Sequence, residues 1–153
     1  MAIVLCICPG LALADGAEVT SNDLINEAGE YNGAEIVYTG EVIGDILTRG
    51  DHAWINVFDG SNAIGVWVES SDANTINILG GYTAHGDTVR ITGVFNRACP
   101  EHGGDMDIHA KSVEGVQAGY AVTHDVSAWK LIAAAVLFAG AAVCGVLVLR
   151  RRL

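Results

Sequence analysis

Ala34-Glu35-Ile36-Val37-Tyr38-Thr39-Gly40-Glu41-Val42-Ile43-Gly44-Asp45-Ile46-Leu47 decides the fold of this 153-residue chain. Ile36, Tyr38, Gly40 and Val42 alternate with Val37, Thr39, Glu41 and Ile43. A period of two is the signature of an extended strand, whose side chains point alternately to opposite faces. The run is long for a strand, and Gly40 and Gly44 would let it coil or bulge.

Outward from this stretch, turn residues divide the chain into short extended segments. Thr48-Arg49-Gly50-Asp51 reads as a turn, Trp54 to Phe58 as a second strand and Asp59-Gly60-Ser61-Asn62 as a hairpin turn. Ala63 to Glu69 reads as a third strand and Thr88 to Phe95 as a fourth. Between them Ser70 to Gly86 is irregular, with a short helix expected over Ala73 to Leu79. Arg97 to Gly104 reads as a loop and Met106 to Val113 as a fifth strand. On that strand Met106, Ile108 and Ala110 take one face, and Asp107, His109 and Lys111 take a solvated one. Upstream, Thr20-Ser21-Asn22-Asp23 caps a short helix that Asn32-Gly33 ends.

A long first strand, a tight hairpin after the second and a helical link between the third and fourth give the order of an all-β, five-stranded OB-fold barrel. The chain resembles the OB-fold domains grouped with the anticodon-binding-like nucleic-acid-binding proteins. The resemblance is carried by Tyr38-Thr39-Gly40-Glu41-Val42-Ile43-Gly44-Asp45, Ala53-Trp54-Ile55-Asn56-Val57-Phe58-Asp59-Gly60 and Gly86-Asp87-Thr88-Val89-Arg90-Ile91-Thr92-Gly93-Val94-Phe95. These motifs specify the fold more than the ligand, and nucleic-acid binding is implied by analogy of fold alone.

The two ends place the barrel. Leu131 to Leu149 holds 19 consecutive uncharged residues, followed by Arg150-Arg151-Arg152. As a helix it is about 28 Å long, enough to cross a bilayer core. The arginines are expected on the cytoplasmic side and the barrel outside. Trp129 and Lys130 suit the interface. Ala2 to Ala14 is apolar and ends in Ala12-Leu13-Ala14, an expected cleavage site. The expected organisation is a signal peptide over 1–14, a helical lead-in over 15–33, the barrel over 34–117, a tether over 118–130, a transmembrane helix over 131–149 and a cytoplasmic tail over 150–153.

All 18 acidic residues lie between Asp15 and Asp125, against four basic ones there (Arg49, Arg90, Arg97 and Lys111), a net of −14 for that outward part. Nucleic-acid affinity rests on Lys and Arg neutralising phosphates, so this balance disfavours it. A protein partner in the envelope, a cation or a neutral sugar fits better. Cys6 and Cys8 lie in the leader and Cys144 in the span, so Cys99 stands alone in the folded part and has no internal disulfide partner.

Arg97-Ala98-Cys99-Pro100-Glu101-His102-Gly103-Gly104-Asp105-Met106-Asp107-Ile108-His109 is the one segment with chemistry. In an OB barrel the loop between strands four and five neighbours that between strands one and two. A ligand-binding face is therefore expected around Arg49, Asp51, His52, Trp54, Trp67 and Arg97, with at least one tryptophan in the core. Cys99 and His102, at C-x-x-H spacing, and His109 could ligate a metal ion or haem. A tight turn with a buried thiol and solvated histidines is the alternative. The haem chaperones of cytochrome c maturation offer an architectural resemblance, as outward, membrane-tethered OB domains with an H-x-x-x-Y tail. Here the anchor is C-terminal and Tyr120 precedes His124. No G-x-S-x-G, H-E-x-x-H or P-loop pattern is present, and a non-enzymatic binding or assembly module is expected.

Overall fold

The computed structural model describes residues 16–124 and 127–152. The leader expected over 1–14 lies outside them. Two compact units divide the chain near Val122 and Thr123.

The first unit opens with β1 (Ala17–Val19), α1 (Ser21–Asn26) and α2 (Ala28–Tyr31). Thr20 caps α1 in a full capping box with Asp23. The short β1 lies parallel to the start of the long strand, Val19 opposite Tyr38, a pairing with no periodic signal in so short a segment. The barrel strands are β2 (Glu35–Arg49), β3 (His52–Phe58), β4 (Ala63–Glu69), β6 (Thr88–Asn96) and β7 (Asp107–Gln117). Sheet order runs β2-β3-β4-β7-β6, and β6 pairs back with β2. The sheet thus closes on itself, with β4 and β7 parallel and the other contacts antiparallel. This closed five-stranded Greek-key order is the OB-fold.

β2 serves both sides of the barrel. Its first half pairs with β6 through Glu41↔Thr88, and its second half pairs with β3 from Glu41 onward. The pairing register shifts between Ile43 and Leu47, where Gly44 sits at φ 75, so the bulge is built on a residue without a Cβ penalty. Ile36, Tyr38, Val42, Ile55, Val57, Val66, Val68, Ile91, Phe95 and Ile108 fill the interior. The Tyr38 hydroxyl donates to Val57 O at 3.1 Å. Burial pushes its pKa well up, so it stays a neutral donor.

Between β4 and β6 the helix is α3 (Ser70–Ala73), shorter and earlier than the expected Ala73 to Leu79. Val68 and Ala73 are both buried, so the helix starts directly at the end of β4, and the chain leaves it through a turn at Asn74 and Thr75 into an irregular stretch. Asp87 organises this connection. Its carboxylate accepts from the backbone N–H of Asn77 (2.6 Å), Ile78 (3.1 Å) and Gly119 (2.7 Å). Those bonds, the one from Gly119 foremost, hold its pKa below the ordinary carboxylate value against the opposing effect of burial. Beside it β5 (Ala84–His85) pairs with β8 (Tyr120–Ala121), so the start of the expected tether is stitched to the barrel.

The second unit contains α4 (Ala128–Arg152), a single helix long and apolar enough to cross a membrane.

Candidate metal centre on the barrel face

β4 and β7 run parallel, with Gly65 opposite Asp107 and Trp67 opposite His109. Ile108 points into the core, so Asp107 and His109, two residues apart, share the outer face with Trp67. Trp54 stands directly across β4 from Trp67 on the same face. The inward phase of β3 and β4 belongs to Ala53, Ile55, Val57, Ile64, Val66 and Val68. Both tryptophans are therefore half-buried outside the core, correcting the expectation that at least one fills it.

The β6–β7 loop folds over this face. Pro100–His102 forms one 3-10 turn, with proline where a missing N–H costs nothing. Gly103 (φ 74) and Gly104 (φ 93) then reverse the chain in the left-handed region. Gly104 N–H donates to Cys99 O and Cys99 N–H to Asp105 O, each at 2.8 Å, so the loop closes on Cys99. Both Cys99 and Asp107 end up buried, Asp107 completely. The solvated place expected for Asp107 is thus overturned, because the loop covers the outward face at the start of β7.

Four donors converge beneath the loop. Cys99 Sγ lies 3.4 Å from His102 Nδ1 and 3.4 Å from His109 Nε2. His109 Nε2 lies 3.3 Å from both His102 Nδ1 and Asp107 Oδ2. His102 Nδ1 and Asp107 Oδ2 are joined at 2.6 Å. One ligand atom from each of the four residues falls within 4.8 Å of all the others. The second oxygen of Asp107 accepts from Asn96 Nδ2 at 2.9 Å, which orients the carboxylate. Burial first, and then the hydrogen bond with Asp107, push the Cys99 thiol pKa up.

An aromatic wall encloses the cluster. The His102 ring packs against Trp54 (4.6 Å between centroids) and Trp67 (4.8 Å). His52 stacks on Trp67 at 5.1 Å with the rings within 1° of parallel, and it also meets Glu69. Of the residues expected on the face, His52, Trp54, Trp67, Cys99, His102 and His109 come together. Arg49 ends β2 and Asp51 lies in the turn that follows, both exposed; the Arg49 guanidinium donates to Thr48 O and the Asp51 carbonyl accepts from Ser70 N–H. Arg97 is placed by the N-terminal helices, its N–H donating to Asn32 Oδ1 at 2.9 Å.

The set of one thiol, two imidazoles and one carboxylate has the composition of a transition-metal site. It suits a bare ion better than haem. Donors this close together leave no plane between them for a macrocycle.

No protein-family model matches the chain, and no curated protein does. Several solved structures align with part of the chain. A chain assigned as an aspartyl-tRNA synthetase from Leishmania major Friedlin aligns at 12% identity and TM-score 0.49, over 74% of this chain and 23% of that one. Asparaginyl-tRNA synthetase from Pyrococcus horikoshii aligns at 16% identity and TM-score 0.45, over 65% of this chain and 23% of that one. An OBody bound to hen egg-white lysozyme aligns at 18% identity and TM-score 0.44, over 58% and 87%.

Proposed function

We propose that this protein is a membrane-tethered, outward-facing OB-fold binding module without catalysis of its own. The observation that carries the reading is the aromatic surface of His52, Trp54 and Trp67, placed on the outside of the barrel instead of in its core. Half-buried tryptophans there cost apolar exposure that the fold does not require, and the part of each ring that His52 and His102 leave uncovered can meet a ligand. The strand two–three face is also where OB barrels bind. The surrounding acidity favours a neutral glycan or a basic protein surface over a nucleic acid. The apolar α4 supplies the anchor, and Arg150, Arg151 and Arg152 set its cytoplasmic end.

Protease treatment of intact cells tests the placement. The barrel is expected to be digested from outside while an epitope after Leu153 stays protected and membrane-bound after carbonate washing. Protection of the barrel overturns the reading. On the purified full chain, Trp67→Ala is expected to abolish binding to a glycan or basic-peptide array. An array signal unchanged by that substitution removes the aromatic face from the proposal. A metal-carrier reading is favoured separately by the convergence of Cys99, His102, Asp107 and His109.

A further inference from the structure

The geometry points to a closed, tetrahedral zinc-type site formed by Cys99 Sγ, His102 Nδ1, Asp107 Oδ2 and His109 Nε2, which fastens the β6–β7 loop onto the aromatic face of the barrel.

The distances carry the argument. Ligand atoms at about 2.0–2.3 Å from a tetrahedral ion stand roughly 3.3–3.7 Å from one another. Four of the five measured separations, at 3.3 to 3.4 Å, fall at that edge length. The fifth, 2.6 Å between His102 and Asp107, is shortened by a direct hydrogen bond whose proton a cation would displace. Four potential ligand atoms gathered this closely, two of them on buried residues, are an improbable result of packing alone. Asp107 is wholly buried and His102 keeps only 15% of its side chain exposed.

The charges also balance. A divalent ion replaces the thiol proton of Cys99 and the proton between His102 and Asp107, and both leave to solvent. Thiolate, carboxylate and two neutral imidazoles then give a centre of zero net charge, which costs least to bury. The donor set narrows the metal. Calcium and magnesium prefer all-oxygen shells, and copper(II) prefers a tetragonal one. Zinc takes sulfur, nitrogen and oxygen together without a redox step. All four positions belong to the protein, so the ion has no open site for a substrate water and acts as a clasp. Asn96 supports Asp107, and Trp54 and Trp67 support His102, as outer partners of metal ligands do.

The clasp does not depend on the membrane or glycan reading and is tested apart from it. Detergent-purified full chain, stripped with chelator and reloaded, is expected to take up one zinc or one cobalt(II) per chain. The cobalt form is expected to show the intense visible bands of a tetrahedral ion and a near-ultraviolet thiolate-to-cobalt band. Cys99→Ser is expected to abolish the ultraviolet band, and His102→Ala or His109→Ala to abolish stoichiometric uptake. Asn96→Ala is expected to weaken zinc about 10- to 100-fold. His85→Ala, remote from the cluster, should leave uptake unchanged. Because a ligand variant can fail by misfolding, the native chain supplies a second measurement. Alkylation of Cys99, followed by peptide mass spectrometry, should be blocked by zinc and restored by chelator. No uptake by the native chain, six-coordinate cobalt spectra, or Cys99 alkylation indifferent to zinc each overturns the site.

Discussion

Asp87 and Asp107 are both buried carboxylates at loop junctions of the barrel, and they are satisfied in opposite ways. Asp87 accepts three backbone N–H groups, from Asn77, Ile78 and Gly119. Its partners carry no titratable proton, so its hydrogen-bonding capacity is matched within the fold. Asp107 meets one amide, from Asn96, and otherwise faces the rings of His102 and His109. Its partners are themselves metal-ligating groups, and a thiol completes the set. One carboxylate is a latch made of backbone. The other is one corner of a constellation that a cation would complete.

The comparison can be broken by experiment. Asp87→Ala leaves three part-buried N–H groups without their acceptor, at about 1–2 kcal/mol each. The expected loss, read from the urea midpoint, is about 3–6 kcal/mol and is the same with zinc or chelator. A zinc-dependent loss would erase the distinction. The effect at Asp107 is expected to appear only with metal. Zinc at about 100 times its Kd should stabilise the native chain by about 2.7 kcal/mol. Asp107→Asn should abolish that gain in a calorimetric scan while changing the chelated protein far less than Asp87→Ala does.

Acid sharpens the contrast at the latch. The Asp87 pKa is lowered on folding, by the Gly119 N–H foremost. Its stabilising contribution is therefore complete above the ordinary carboxylate value of about 4 and is lost as pH falls through the lower folded value. An acid titration of stability in chelator should show this limb in the native chain and a shallower one in Asp87→Ala. A solvent-exposed carboxylate contact sets the floor. Thr20→Ala removes the α1 capping box, and a thermal scan should register about 1 kcal/mol or less.

The barrel was legible from the alternation of Ile36, Tyr38 and Val42, the Asp59-Gly60 hairpin and the two glycines of β2, because these signals are local. The same holds for Thr20. Cys99, His102 and His109 stood out as ligand types at suggestive spacing. Asp107 did not, because strand alternation gives its face and not what covers that face. The cover comes from the loop closing on Cys99, a consequence of chain reversal at Gly103 and Gly104 and of the parallel β4–β7 pairing. The expectation that at least one of Trp54 and Trp67 fills the core failed for a related reason. Alternation gives two phases, and the inward one on β3 and β4 was already filled by small aliphatic side chains.

The pairing of β8 with β5, beside the bond from Gly119 to Asp87, has a mechanical meaning. At the end of the barrel unit Tyr120 and Ala121 pair with β5, and Val122 N–H donates to Thr83 O at 2.8 Å. Tension drawn through the following residues reaches this two-stranded clip before it reaches the long β6–β7 ladder. A load that opened this clip first would leave β7, with Asp107 and His109 at its start, still paired, as a strain relief protects a cable.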